Sequence, residues 1–107
     1  MLKRAIDAAL VGASEVPLRI ARLATDVLAL AVEAAERGDD VTAPDACAGA
    51  NIAHAAVSAS LGLLRGNLAM LSDARLAHAP HESAEALRHR ADTLLGDVRT
   101  AGRRVAG

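Results

Sequence analysis

At 107 residues and a net charge of −1, the chain has room for one domain, and its balanced charge offers nothing to nucleic acid or an anionic membrane. Alanine fills 27 positions while Phe, Tyr and Trp fill none, which argues against a sheet and removes base stacking and cation cages from the available functions. The single Cys47 excludes an intrachain disulfide and suits a reducing compartment. Met1-Leu2-Lys3-Arg4 is followed by Asp7 and lacks the apolar core of a secretory leader. A cytoplasmic, all-α protein is the expectation.

The first predicted helix runs from about Leu2 to Arg37. Leu2, Ile6, Ala9, Ala13, Val16, Ile20, Leu23, Val27, Leu30 and Ala34 form an unbroken apolar seam at helical period. The seam keeps its phase through Pro17, so one continuous helix is expected, kinked near Ala13. A second row, Leu18, Ala21, Leu28, Val32 and Ala35, flanks the first, and a helix so apolar wants partners on two sides. Gly38-Asp39-Asp40 ends it, and Thr42 is placed to cap the next helix with Asp45 three residues on.

The second predicted helix covers about Ala43 to Leu71. Ala46 to Leu64 carries no Asp, Glu, Lys or Arg, but Asn51 and His54 interrupt it and make a buried core helix the better reading than a membrane span. Ser58, Gly62 and Gly66 fall four apart, a spacing that lets another backbone approach, and this marks the helix as the central one. A polar connection follows over Ser72 to Ala79, and Pro80 opens a third helix. Its seam is Ala84, Leu87, Ala91, Leu94, Val98, Ala101 and Val105, opposite a charged outer face. The predicted fold is three long antiparallel helices, part of a larger up-and-down helical bundle.

Four polar residues of the second helix, Asn51, His54, Ser58 and Arg65, share one stripe. Buried polar groups need partners, so the stripe is either a pocket wall or an interhelical hydrogen-bond network with Arg65 at its rim. In a pocket, Arg65 would hold a ligand carboxylate and His54 would move a proton. His81, Glu85 and His89 share a face at i, i+4 and i+8, a geometry open to a metal. That face reads as solvated, so no metal is expected. Cys47 reads as a small core residue.

Ala8 to Leu18 (AALVGASEVPL), then Glu36-Arg37-Gly38-Asp39, Pro44-Asp45-Ala46, Leu61 to Leu68 (LGLLRGNL) and Ser72-Asp73 together resemble the cyclodeaminase/cyclohydrolase family. That family comprises the C-terminal domain of formiminotransferase-cyclodeaminase and the methenyltetrahydrofolate cyclohydrolases. The resemblance extends over essentially the whole chain and corresponds to the C-terminal half of the domain, without the Pro-Gly-Gly-Gly segment that the family places before it. It implies an all-helical dimer acting on one-carbon tetrahydrofolates, either closing a formimino group to methenyl with loss of ammonia or interconverting methenyl and formyl by water. The folate is substrate, and no tightly bound cofactor is implied.

Asp45 and Asn67 match family positions and are candidate substrate contacts with Arg65 and His54. Pro44 stands where the family has Ser, and Leu63 where it often has a first Asn. The alternative is a non-catalytic helical assembly module descended from the family. Because three helices cannot cover both rows of the first helix and the uncharged second one, the chain is expected to self-associate.

Overall fold

The computed structural model describes residues 1–106, of Ala106 the backbone only. Three long helices account for it: α1 over Leu2–Arg37, α2 over Thr42–Ala69 and α3 over His78–Ala106. A 3₁₀ turn over Ala74–Ala77 precedes α3. The connections are short and the Cα envelope measures 61 × 16 × 15 Å, so the helices run up, down and up along one axis. Among the described residues there is no strand.

Helix α1 passes through Pro17 unbroken, and Pro17 is buried. The buried face, however, is the second row and not the long apolar seam. Ala21, Leu28 and Ala35 are fully buried, with Leu18 and Val32 packed at the edge, whereas Ile6, Val16, Ile20, Leu23, Val27 and Leu30 are exposed. The buried row continues toward the N-terminus through Ser14 to Asp7 and includes Thr25. Each polar member is satisfied. Ser14 Oγ donates to the Leu10 carbonyl at 2.7 Å, and Thr25 Oγ1 to the Ala21 carbonyl at 2.7 Å. Asp7 accepts the backbone N–H of Ser72 at 2.9 Å and of Asp73 at 3.0 Å.

Two short junctions set the helix ends. Gly38 is extended, with φ −79° and ψ 162°, so close packing and not a left-handed backbone requires glycine there. A Cβ would meet Thr42 Oγ1 at 2.6 Å and the Ala34 carbonyl at 2.8 Å. Asp39, and not Thr42, caps α2: its Oδ1 accepts the N–H of Val41 at 3.0 Å and of Thr42 at 2.9 Å. Thr42 Oγ1 accepts the Asp39 N–H in return at 3.0 Å. At the other end Asp73 accepts the Arg75 N–H at 3.1 Å and opens the 3₁₀ turn. Helix α3 then starts at His78, two residues ahead of Pro80, because a first-turn proline lacks only an N–H that would have no helical partner.

Helix α2 buries Ala50, Val57, Leu61, Leu64 and Leu68 against its neighbours. Helix α3 contributes Ala84, Ala91, Leu95, Val98 and Ala101, with Leu87 and Leu94 partly covered. The expected seam holds at Ala84, Ala91, Val98 and Ala101, but Leu95, which lies outside it, is buried, while Leu87, Leu94 and Val105 are only partly covered. The close approach expected at Gly62 and Gly66 does not occur within the chain, since nothing lies within 4 Å of where their Cβ atoms would be. Helix α2 is long and apolar enough to cross a bilayer by length and composition, and a third of that window is buried inside the bundle.

Candidate functional site

The four candidate contacts all stand on α2, and its length separates them. At 1.5 Å per residue, Asp45 in the first turn lies about 33 Å along the axis from Asn67 near the last. His54 falls between, and Arg65 beside Asn67. A single copy therefore does not gather Asp45, His54, Arg65 and Asn67 around one ligand. Asp45 and Arg65 are exposed, and neither forms an ion pair among the described residues.

The polar stripe lies along the seam between α2 and α3. His54 Nε2 stands 2.7 Å from Asp92 Oδ1, and the two side chains are 26% and 50% exposed. Asp92 Oδ2 also accepts from Arg88 Nη1 at 3.3 Å, and Arg88 Nη2 donates to Glu85 Oε2 at 2.8 Å. One turn toward the start of α2, Asn51 Nδ2 donates to the Cys47 carbonyl at 2.9 Å, and Arg99 Nη2 donates to Asn51 Oδ1 at 3.2 Å. Two members of the stripe, Asn51 and His54, thus join an interhelical hydrogen-bond network whose α3 members are Arg99 and Asp92, while Ser58 and Arg65 are exposed and take no part in it. Asp92 and Arg99 sit on the charged face of α3, where nothing in the sequence separates them from other solvated charges.

The hydrogen bond from His54, reinforced by the charges of His54 and Arg88, holds the Asp92 carboxyl below its ordinary value of 3.8. A carboxyl whose proton binds more tightly in the unfolded chain stabilises the fold above its unfolded value, and that contribution disappears as pH falls through the folded value. Asp92→Asn is therefore expected to flatten the pH dependence of stability below about pH 4. Acid titrations of the two proteins followed by circular dichroism check it. Superimposable curves would remove the pair from the acid response.

Two cavities mark the ends of the bundle. One, of about 420 Å³, lies between the start of α2 and the end of α3, lined by Ala43, Pro44, Cys47, Arg99 and Gly102 among others. The second, of about 400 Å³, lies where α1 begins, lined by Arg4, Asp7, Val11, Asp73 and Leu76 among others. None of the four candidate contacts lines either. No group of three metal-ligating side chains gathers among the described residues. Glu85 is turned to Arg88, and His78 pairs with Glu82 at 3.2 Å.

Cys47 is half-buried, its Sγ 3.8 Å from the Val98 carbonyl, and it faces Gly102, where a Cβ would lie 2.8 Å from that sulfur. Gly102→Ala gains up to about 1 kcal/mol in helix propensity, but crowding of the sulfur costs about 1–3 kcal/mol. The substitution is expected to destabilise the native protein and to stabilise a Cys47→Ala background. Denaturant midpoints of the four proteins in that cycle check the reversal of sign, and a destabilisation of equal size in both backgrounds would contradict it.

A model of the family described as Formiminotransferase-cyclodeaminase, its C-terminal domain, matches residues 2–86. The match covers α1, α2, the 3₁₀ turn and the start of α3, and it stops short of Arg99 and Gly102. No curated protein and no solved structure matches the chain. With most of its length under that match, the chain belongs to the formiminotransferase-cyclodeaminase family.

Proposed function

We propose that the chain serves one-carbon tetrahydrofolate chemistry in the cytoplasm, as a formimidoyltetrahydrofolate cyclodeaminase or methenyltetrahydrofolate cyclohydrolase that works as a homo-oligomer. The family match over residues 2–86 carries this reading. Both reactions turn on proton transfer at a bound folate. In the first, N10 attacks the formimino carbon and ammonia leaves; in the second, water adds to the methenyl carbon, whose bond to N5 then breaks, N5 taking a proton and the formyl group staying on N10. His54 is the side chain suited to the proton, because Asp92 fixes its Nε2 and orients the ring. Asp45, Arg65 and Asn67 are the proposed substrate contacts. The tetrahydrofolate is substrate, with no tightly bound cofactor. Self-association is supported by the exposed apolar row of α1 and the outer side of α2, whose one charge is Asp45.

The separation of the four contacts along α2 favours a second reading for an isolated copy, a non-catalytic helical module that acts only within an assembly. Turnover of formimino- and methenyl-tetrahydrofolate by the purified protein, followed through the absorbance of the methenyl group, distinguishes them. His54→Asn is expected to lower kcat by 10²–10⁴-fold, about the contribution of a general acid–base, with little change in KM. Absence of turnover and of folate binding at every protein concentration would overturn the enzymatic reading.

A further inference from the structure

The outward side of α2, opposite its buried face, has an unusual composition. At 100° per residue, Asp45, Ala48, Ile52, Ala55, Ala59, Leu63 and Gly66 fall within one arc, and Asp45 is the only charge among them. Ile52 is 73% and Leu63 67% exposed. Gly62 and Gly66 open onto empty space, although each interior glycine costs about 1 kcal/mol of helix stability relative to Ala. Nothing inside the chain offsets that cost.

Large and small residues alternate on this face in a pattern that complements itself in one direction only. With a two-fold axis between Ala55 and Ala56 and two α2 helices antiparallel, Ile52 stands opposite the partner's Ala59, and Leu63 opposite the partner's Ala48. Asp45 stands level with the partner's Gly66. Within α2 every bulky side chain of the arc meets a small one, as knobs meeting holes require, while just beyond the helix ends Met70 stands level with the partner's Val41. A parallel pair would set Ile52 on Ile52, Leu63 on Leu63 and Asp45 on Asp45, with gaps at the alanines and like charges opposed. Charge and shape select the antiparallel arrangement.

The same arrangement acts on the separation described above. Asp45 and Asn67 lie on the same side of the arc, and the two-fold axis returns the partner's Asn67 to within one residue rise, about 1.5 Å along the axis, of the level of Asp45. A carboxylate and an amide about 33 Å apart in one copy then flank the same side of the joint at one level. The pair is isologous, so the juxtaposition occurs twice. We infer that a second copy of this chain packs antiparallel on the outward face of α2, and that each site combines Asp45 of one copy with Asn67 of the other. The pairing rests on the face alone; the role of Asp45 and Asn67 in binding rests on the folate reading.

Two experiments separate these parts. In a Cys47→Ser background, chains carrying Ala48→Cys and chains carrying Leu63→Cys are mixed and oxidised mildly. The mixture is expected to give a disulfide-linked dimer and each chain alone to give none. Self-linking of Leu63→Cys, which indicates parallel packing, would overturn the inference. So would a monomer in sedimentation, or flotation of the wild-type chain with neutral lipid vesicles. Ile52→Glu is expected to weaken association about a hundred-fold with unchanged helicity, since a charge would be buried in the joint.

For the composite site, Asp45→Ala and Asn67→Ala chains are each expected to lose binding of 5,10-methenyltetrahydrofolate. Random mixing of equal amounts restores about a quarter of the wild-type sites, because each mixed pair rebuilds one intact site of its two. Restoration of none places both residues in one copy's site and overturns the composite. If the wild-type chain binds no folate, the folate reading fails, while the cysteine cross-link still decides the pairing.

Discussion

Replacing Leu28 with Ala is expected to cost about 3 kcal/mol of stability, while Leu23→Ala, on the same helix, leaves it within about 0.5 kcal/mol. The two residues have the same chemistry and occupy the two apolar rows of α1. Leu28 is 0% exposed and sits at the centre of the core with Leu61, Leu64 and Val98; Leu23 is 65% exposed. Removing Leu28 takes away the transfer energy of its methyl groups and leaves a cavity between long, stiff helices that cannot collapse readily. Removing Leu23 shortens a side chain already in water. Urea unfolding at low protein concentration, followed by circular dichroism because the chain has no aromatic residue, measures both. Equal losses, or a larger loss at Leu23, would mean that the long seam is the core after all.

A second large effect belongs to Asp7. Its two carboxylate oxygens hold the N–H groups of Ser72 and Asp73 from the far side of the sequence, and it is 5% exposed. Hydrogen bonds to a charged acceptor contribute more than neutral ones, and Asp7 makes two of them from a buried position. Asp7→Ala is therefore expected to lose about 2–4 kcal/mol. Asp7→Asn keeps one accepting oxygen but turns an N–H₂ toward the second donor, so it recovers no more than about half of the loss. Equal denaturation midpoints for Asp7→Ala and the native chain would show that the clamp contributes nothing to stability.

The fold class was legible because it depends on periods and caps, both of which are local. Helix α1 through Pro17, the break at Gly38 and most of the seam of α3 follow from spacing. The choice between the two rows of α1 does not. The longer row is purely apolar and looks like a core stripe, whereas the true core row carries Asp7, Ser14 and Thr25. Those polar groups are satisfied by carbonyls one turn back or by amides 65 residues away, and a pattern of residue types does not reveal which polar groups have partners. The polar stripe of α2 was visible for a similar reason, since it stands out from an apolar helix. Its partners Asp92 and Arg99 were not, because they sit among other charges on an exposed face. Asp45 and Asn67 came from family positions, and their separation became evident only once they were placed on one straight helix.

The elongated envelope, 61 Å by 16 and 15 Å, also governs how the molecule tumbles. Amide N–H bonds in an α-helix lie nearly along its axis, and here all three helices follow the long axis of the particle. Almost every amide in the chain therefore reports the slow end-over-end rotation and hardly senses spinning about the rod. Nitrogen relaxation across α1, α2 and α3 should yield one narrow band of long correlation times, longer than the mass of 10.9 kDa would give a sphere. The amides of Asp39 to Val41, in the turn between α1 and α2, should depart from that band wherever their bonds point across the rod.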